Sequence, residues 1–303
     1  MSILVVGSLG LDTIETPFAK VEESLGGSAV YISLAASFFS PEVKLVGVVG
    51  EDFPEKYIQL LRDHHIDLEG LQIVKGGKTF RWSGKYHYDM NSRETIFTEL
   101  NVFKDFNPVI PENYRDSKFI VLGNIDPDLQ MNVLNQLNHP EFIICDTMNY
   151  WIERKNEALR KLLTMVDLLV VNDSEARLLA NHPNLIRAAK IILEMGPKKL
   201  VIKKGEHGSL LITRDTIFVA PAFPLENISD PTGAGDTFAG GMVGYLSRVN
   251  SINDEELKKA IIYGSVLASF CVEKFSVDGL LSLNDSKIND RFNQFCKLIQ
   301  IEE

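Results

Sequence analysis

The chain is 303 residues long and 45% apolar, enough for a large buried core in one domain or two ordinary ones. A formal net charge of −10 argues against a nucleic-acid binder, whose footprint is a basic patch, and no apolar run approaches the length of a membrane span. Cys145, Cys271 and Cys296 form no CxxC pair or disulfide framework, the histidines show no close metal-ligand spacing, and no signal peptide precedes Ile3, so a soluble cytoplasmic protein is expected.

The first strand is expected at Ile3–Val6. Gly7-Ser8-Leu9-Gly10 follows it, but Leu9 stands where a dinucleotide fingerprint needs its second glycine. Asp12 and the pair Gly26-Gly27 before Ser28 come next. A carboxylate there can accept two hydrogen bonds from vicinal sugar hydroxyls, and paired glycines let the backbone approach a small polyol. Asp12 as the cap of a turn is an equal alternative. Helices are expected over Ser28–Phe39 and Glu55–His64, with a strand between them at Leu45–Val49. Gly77-Lys78-Thr79 ends like a phosphate-binding P-loop, but Gln72 replaces its first glycine. Within Phe80–Phe103, Trp82, Gly84, Tyr86 and Tyr88 approach period-two alternation, and Thr95–Thr98 continues an extended pattern. With Asp12–Phe18 these predict a small antiparallel sheet projecting over the site as a lid. Its aromatics Phe80, Trp82, Tyr86 and Tyr88, near Arg81, either stack a nucleobase or pack between lid strands or across a dimer.

Further strands at Phe119–Leu122, Phe142–Cys145, Leu168–Val171 and Leu200–Ile202 alternate with helices at Asp128–Leu137, Glu157–Leu163 and Leu185–Met195. Apolar strands alternating with amphipathic helices imply a parallel sheet covered on both faces, with ligands at the carboxyl ends of its strands. Asn172-Asp173-Ser174-Glu175 ends one strand and opens a helix. Its hard oxygens suit Mg²⁺ held through water, and the same pattern is also an ordinary helix start. In Lys203-Lys204-Gly205-Glu206-His207-Gly208 the glycines permit a tight loop over a nucleotide. Lys203 or Lys204 would contact phosphate as a point charge, the other being solvated.

A hairpin edge is expected from Leu210–Ile212 and Ile217–Val219, then helices at Thr237–Arg248, Glu255–Lys274 and Asp285–Ile299. Before the first of these lies Asp230-Pro231-Thr232-Gly233-Ala234-Gly235-Asp236. Small residues opening a helix aim unpaired N–H groups at a ligand, with the positive end of the helix dipole behind them. Gly233, Ala234 and Gly235 would then form an anion hole for a transferring phosphoryl group. Asp236 would orient a substrate hydroxyl and take its proton, the alternative being a plain helix cap.

This run resembles the C-terminal signature of the ribokinase, or PfkB, family of carbohydrate and nucleoside kinases, residue for residue from Asp230 to Asp236. The similarity extends along essentially the whole chain. It implies a single catalytic domain over 1–303: an α/β, ribokinase-like three-layer α/β/α sandwich with a small β-sheet lid at about 12–18 and 80–103. In many members that lid also forms a homodimer contact. The resemblance further implies Asp236 as catalytic base, Asp12 with Gly26, Gly27 and Ser28 as substrate contacts, and Asn172 and Glu175 as organisers of a magnesium-water shell. Lys203, Lys204, Gly205, Gly208 and Thr232 would serve the nucleotide, and Ala268–Asp278 would wall the adenine pocket. Two positions depart from the pattern, Tyr31 and Gly10, where many sugar kinases carry asparagine. Both weaken the case for a free ribose or fructose phosphate pocket. The lid and Asp146-Thr147-Met148-Asn149 are similar to bacterial nucleoside kinases of the family. An ATP- and Mg²⁺-dependent kinase acting on the primary hydroxyl of a ribose-containing acceptor is therefore expected, with a nucleoside favoured. A free-sugar kinase of the ribokinase or fructokinase type is the alternative, and a nucleotide-binding sensor without turnover is the alternative of another class.

Overall fold

Alternation within the first strand sets up the layers. Ile3 and Val5 face one side of the sheet and Leu4 and Val6 the other, and all four are fully buried. The computed structural model describes residues 1–300. Its central sheet contains β1 (Ile3–Val6), β4 (Val43–Gly50), β5 (Ile66–Val74), β8 (Phe119–Leu122), β9 (Phe142–Asp146), β10 (Leu168–Asn172), β11 (Lys199–Lys203), β12 (Ser209–Ile212) and β13 (Ile217–Ala220). The order is β13-β12-β11-β10-β9-β8-β1-β4-β5. From β5 to β11 neighbouring strands pair in parallel, and the β12–β13 hairpin closes one edge antiparallel.

Helices cover both faces, giving the three-layer α/β/α sandwich. On one side lie α1 (Ser28–Ser37), α2 (Glu55–Asp63), α8 (Ala234–Val249), α9 (Asp254–Cys271), the short α10 (Asp278–Leu281) and α11 (Asp285–Ile299). On the other lie α3 (Pro127–Leu134), α4 (Asn149–Arg154), α5 (Asn156–Leu163), α6 (Asp173–Ala180) and α7 (Leu185–Glu194). Side chains cap five of these helices: Asp126, Asn172, Asn184, Asn253 and Asn284 each accept a first-turn N–H. Helix α8 has no such cap. No helix among the described residues is long and apolar enough to cross a membrane.

A second sheet holds β2 (Gly10–Glu15), β3 (Lys20–Gly26), β6 (Phe80–Tyr86) and β7 (Arg93–Glu99) in the order β3-β2-β6-β7. It differs from the expected antiparallel sheet in two ways. Its central pair β2–β6 is parallel, because β1 and β5, which precede these strands, run parallel in the main sheet. It also includes β3, which the sequence did not mark because Lys20, Glu22 and Glu23 interrupt any apolar pattern. β5 escaped notice for the same reason: it is an edge strand carrying Asp67 and Glu69 on its exposed positions.

Helix α8 sits tightly on α1. A Cβ placed on Gly240 would lie 2.3 Å from the Ile32 carbonyl oxygen and 2.8 Å from the Ala35 Cβ. Alanine would gain about 1 kcal/mol of helix propensity there, but the clash is with backbone and cannot be relieved by a rotamer change. Gly240→Ala is therefore expected to lower unfolding free energy by about 1–3 kcal/mol, measured as a reduced urea midpoint at unchanged m-value.

Candidate active site

The chain reverses direction across the sheet at β1 and β8, the place where a doubly wound sheet opens a crevice. Gly7 and Gly123 follow those strands. Ideal Cβ atoms on them would lie 2.6 Å and 2.8 Å from the Ser28 hydroxyl, so that side chain sits over the switch point. Ser28 N–H donates to the Ser8 hydroxyl at 3.1 Å, and Ser8 N–H donates back to Ser28 Oγ at 3.2 Å. Gly27, at φ 98°, makes the bend into α1. On β2, Asp12 lies against Gly26 so closely that a Cβ there would sit 2.0 Å from Asp12 Oδ2. The Asp12 carboxyl is raised to about 7 by burial, with Asp230 and Asp236 adding to the effect and Arg93 opposing it.

At the other end of the crevice, Gly233 opens α8 at φ 74° without a side-chain cap. The Ala234 N–H is taken by the Pro231 carbonyl at 3.2 Å. The N–H groups of Gly233, Gly235 and Asp236 have no backbone acceptor among the described residues. Behind the turn stands Tyr31, its ring 2.4 Å from where a Gly233 Cβ would be, so Tyr31 packs under the turn and is fully buried. In front, Lys203 Nζ lies 2.8 Å from the position of a Gly235 Cβ and 3.4 Å from Asp146 Oδ2. A side chain at 235 would displace that ammonium. Burial opposes the charge on Lys203, but Asp146, Glu175 and Asp236 outweigh it and raise its pKa. Asp236 is pushed up to about 7 by burial and then by Asp146, against Lys203 and Arg93.

Asn172 and Glu175 form a reciprocal capping box: each side chain accepts the other's N–H at 2.8 Å. Glu175 Oε1 keeps no protein hydrogen bond among the described residues. The acidic groups here do not make a three-ligand metal cage among the described residues. The carboxylates around Lys203 supply hard oxygens that would suit a hydrated Mg²⁺ carried mostly by phosphate oxygens.

A cavity of about 410 Å³ runs from this turn toward the β12–β13 edge. Lys203, Gly205, Gly208, Ala234 and Gly235 line its polar end, whereas Lys204 and Thr232 do not line it. The Thr232 hydroxyl instead donates to Tyr86 Oη at 3.1 Å. Phe223, Pro224 and Leu225 with Ala268 and Val272 give it apolar walls.

Sequence reasoning passed over Arg93, whose guanidinium donates to Tyr86 Oη at 3.5 Å, lies 5.3 Å from the Trp82 ring and lowers the pKa values of Asp12, Glu175 and Asp236. It also passed over Asp146 as the partner of Lys203. The lid aromatics are engaged inside the sheet or at its rim. Phe80 packs on Phe103 at 5.5 Å, the Trp82 indole N–H donates to Thr95 at 3.3 Å, Tyr86 is buried, and Tyr88 is 84% exposed beside Phe18.

Comparison with known proteins gives a consistent picture. The family model described as pfkB family carbohydrate kinase matches residues 3–282. A cytidine kinase of Thermococcus kodakarensis is 31% identical over 253 residues, spanning 82% of this chain and 89% of that protein. A ribokinase of Lactococcus lactis is 26% identical across 91% of this chain and 92% of its own. The crystal structure of the Methanocaldococcus jannaschii nucleoside kinase, a member of the ribokinase family, shares the fold with a TM-score of 0.76 at 20% identity, covering 97% of this chain and 99% of that one.

The raised carboxyls make a stability prediction. Asp12 and Asp236 move from 3.8 to about 7 on folding, so between those values the folded chain holds protons that the unfolded chain has released. Stability contributed by them is present below pH 4 and lost as pH rises through 7. Replacing Asp236 with Asn removes one of these groups, and the variant should gain on wild type by on the order of 1 kcal/mol or more between pH 5 and pH 8. Urea midpoints at both pH values check this, and identical pH dependence in the two proteins would contradict it.

Proposed function

The chain belongs to the pfkB family of carbohydrate kinases, and on that premise we propose that it transfers the γ-phosphoryl group of ATP to the primary hydroxyl of a ribosyl acceptor, with a nucleoside favoured. The observation that carries this reading is the uncapped start of α8, with Lys203 Nζ 2.8 Å from the position of a Gly235 Cβ at the polar end of the cavity.

In this proposal the acceptor lies along the β1 crevice, its vicinal hydroxyls on Asp12 and its body against Gly26, Gly27 and Ser28. The primary hydroxyl reaches Asp236, which takes its proton as the oxygen attacks the γ-phosphorus and the bond from that phosphorus to the β–γ bridging oxygen breaks, releasing ADP. Charge spread over the transferring phosphoryl group is met by the N–H groups of Gly233, Gly235 and Asp236 and by Lys203, held in place by Asp146. Arg93 brings a second cation from the small sheet. Mg²⁺, when bound with ATP, would offset phosphate charge within reach of Glu175 and Asn172. The apolar cavity walls would take the adenine.

Support for a nucleoside comes from the relative named cytidine kinase. One observation favours a free sugar instead: Phe80, Trp82 and Tyr86 are occupied within the structure rather than presenting an open platform. The deciding experiment measures ADP release with Mg·ATP and a panel of cytidine, other nucleosides, ribose and fructose. Turnover with nucleosides is expected; turnover with free sugars alone would reassign the acceptor, and none with any acceptor would favour a sensor. Asp236→Asn should lower kcat about 10²- to 10⁴-fold while nucleotide binding persists, and near-normal turnover would remove the assigned base.

The metal role has its own test. Glutamine preserves a capping box, so Glu175→Gln should leave α6 intact and remove only charge. The Mg²⁺ concentration for half-maximal rate is expected to rise about tenfold, as for loss of an outer-shell partner. An unchanged requirement would leave Glu175 a cap and nothing more.

A further inference from the structure

The wall of the cavity opposite its floor comes from the small sheet. Asp89, Met90 and Asn91, in the turn joining β6 to β7, line the same cavity as Lys203, Gly205 and Gly235. The turn is built rather than slack. His87 N–H donates to the Ser92 carbonyl at 2.9 Å, Asp89 Oδ1 accepts from the N–H groups of Asn91 and Ser92 at 3.1 Å and 3.0 Å, and the Ser92 hydroxyl bonds the other oxygen of Asp89. Met90, at φ 53°, sits at the apex and is half-buried. From this turn Asn91 Nδ2 donates to Glu206 Oε1 at 3.3 Å, and a Cβ on Gly205 would lie 2.3 Å from Asn91 Oδ1. Gly205, at φ 55°, is favoured by its own backbone conformation, and Asn91 packs against it.

We propose that the Asp89–Asn91 turn is a nucleotide-binding element, which grips a nucleoside di- or triphosphate between the tip of the small sheet and the Gly205–His207 turn. This rests on the cavity being the nucleotide site. The same small sheet carries Asp12, whose strand pairs with β6 so that Asp12 lies opposite Trp82. A nucleotide that holds the tip down therefore also holds Asp12 and Arg93 over the acceptor end. By linkage, acceptor and nucleotide tighten each other by the same factor. Asn91 acts here as a positioning residue, with Met90 giving the wall its apolar surface.

The test is isothermal titration of the full chain with Mg·ADP, which needs no turnover. Asn91→Ala is expected to raise the ADP Kd about 2- to 10-fold, the equilibrium equivalent of one hydrogen bond. Asn91→Asp, which sets a carboxylate against Glu206, should weaken it further at low salt and recover part of the loss at high salt. Asn91→Ala combined with Glu206→Ala should bind no more weakly than Asn91→Ala alone. Saturating ADP should also slow tryptic cleavage after Lys85 and Arg93, which bracket the turn, in wild type but not in Asn91→Asp. A wild type that binds no ADP overturns the nucleotide assignment of the cavity, and this proposal with it. Wild-type binding with unchanged affinity and unchanged proteolytic protection in the variants overturns the role of the turn alone.

Discussion

The N-terminus of α8 is left open, and much of the surrounding structure is arranged to keep it so. Five other helices satisfy their first turns with an Asp or Asn side chain. Here the chain enters through Gly233 in a left-handed conformation that excludes a Cβ because Tyr31 fills the space behind it. Asp230 fixes the approach: one carboxylate oxygen accepts the Thr232 N–H at 2.8 Å, and the other accepts the Ser276 N–H at 3.1 Å. Helix N–H groups without a protein acceptor are unfavourable. They are tolerated because the rest of α8 is anchored by burial from Thr237 to Ser247 against α1 and α9.

Electrostatics reinforces this arrangement. Asp12, Glu175 and Asp236 all hold their protons more tightly than ordinary carboxyls, burial being the largest cause for each. Two cations moderate them from different layers, Lys203 from the central sheet and Arg93 from the small sheet. The charge balance of the site therefore depends on both sheets being in place. The Arg93–Tyr86–Thr232 chain of hydrogen bonds links the small sheet directly to the turn before α8.

Local patterns made part of this legible in the sequence. The apolar runs Ile3–Val6 and Phe119–Leu122 coincide with β1 and β8, because strands buried on both faces carry an unbroken hydrophobic signal. β3 and β5 carry charges on their solvent side and left no such signal. The ordered run from Asp230 to Asp236 identified the start of α8, and Lys203 was named together with Lys204, although only three-dimensional placement separates the two. Asp146 was marked only within the Asp146–Asn149 stretch and not as the partner of Lys203, and Arg93 was not marked at all, because their partners lie far off in sequence and no spacing rule connects them. Tyr31 was noticed as a departure at the acceptor pocket, yet it serves as the backing of the turn. Position in a motif does not say which side of the backbone a side chain occupies.

The parallel pairing of β2 with β6 bears on how the molecule assembles. Gly10 pairs with Phe80, and the intervening chain includes β4 and β5 of the central sheet and the helix α2 that covers it. Closing so long a segment has an entropic cost that local contacts cannot offset until those elements are in place. The β2–β6 pairing is thus expected only once β1 and β5 are held in place, whereas the β2–β3 and β6–β7 hairpins are local. Partial unfolding should reverse that order, releasing Asp12 and Arg93 from the site while the sandwich beneath stays intact.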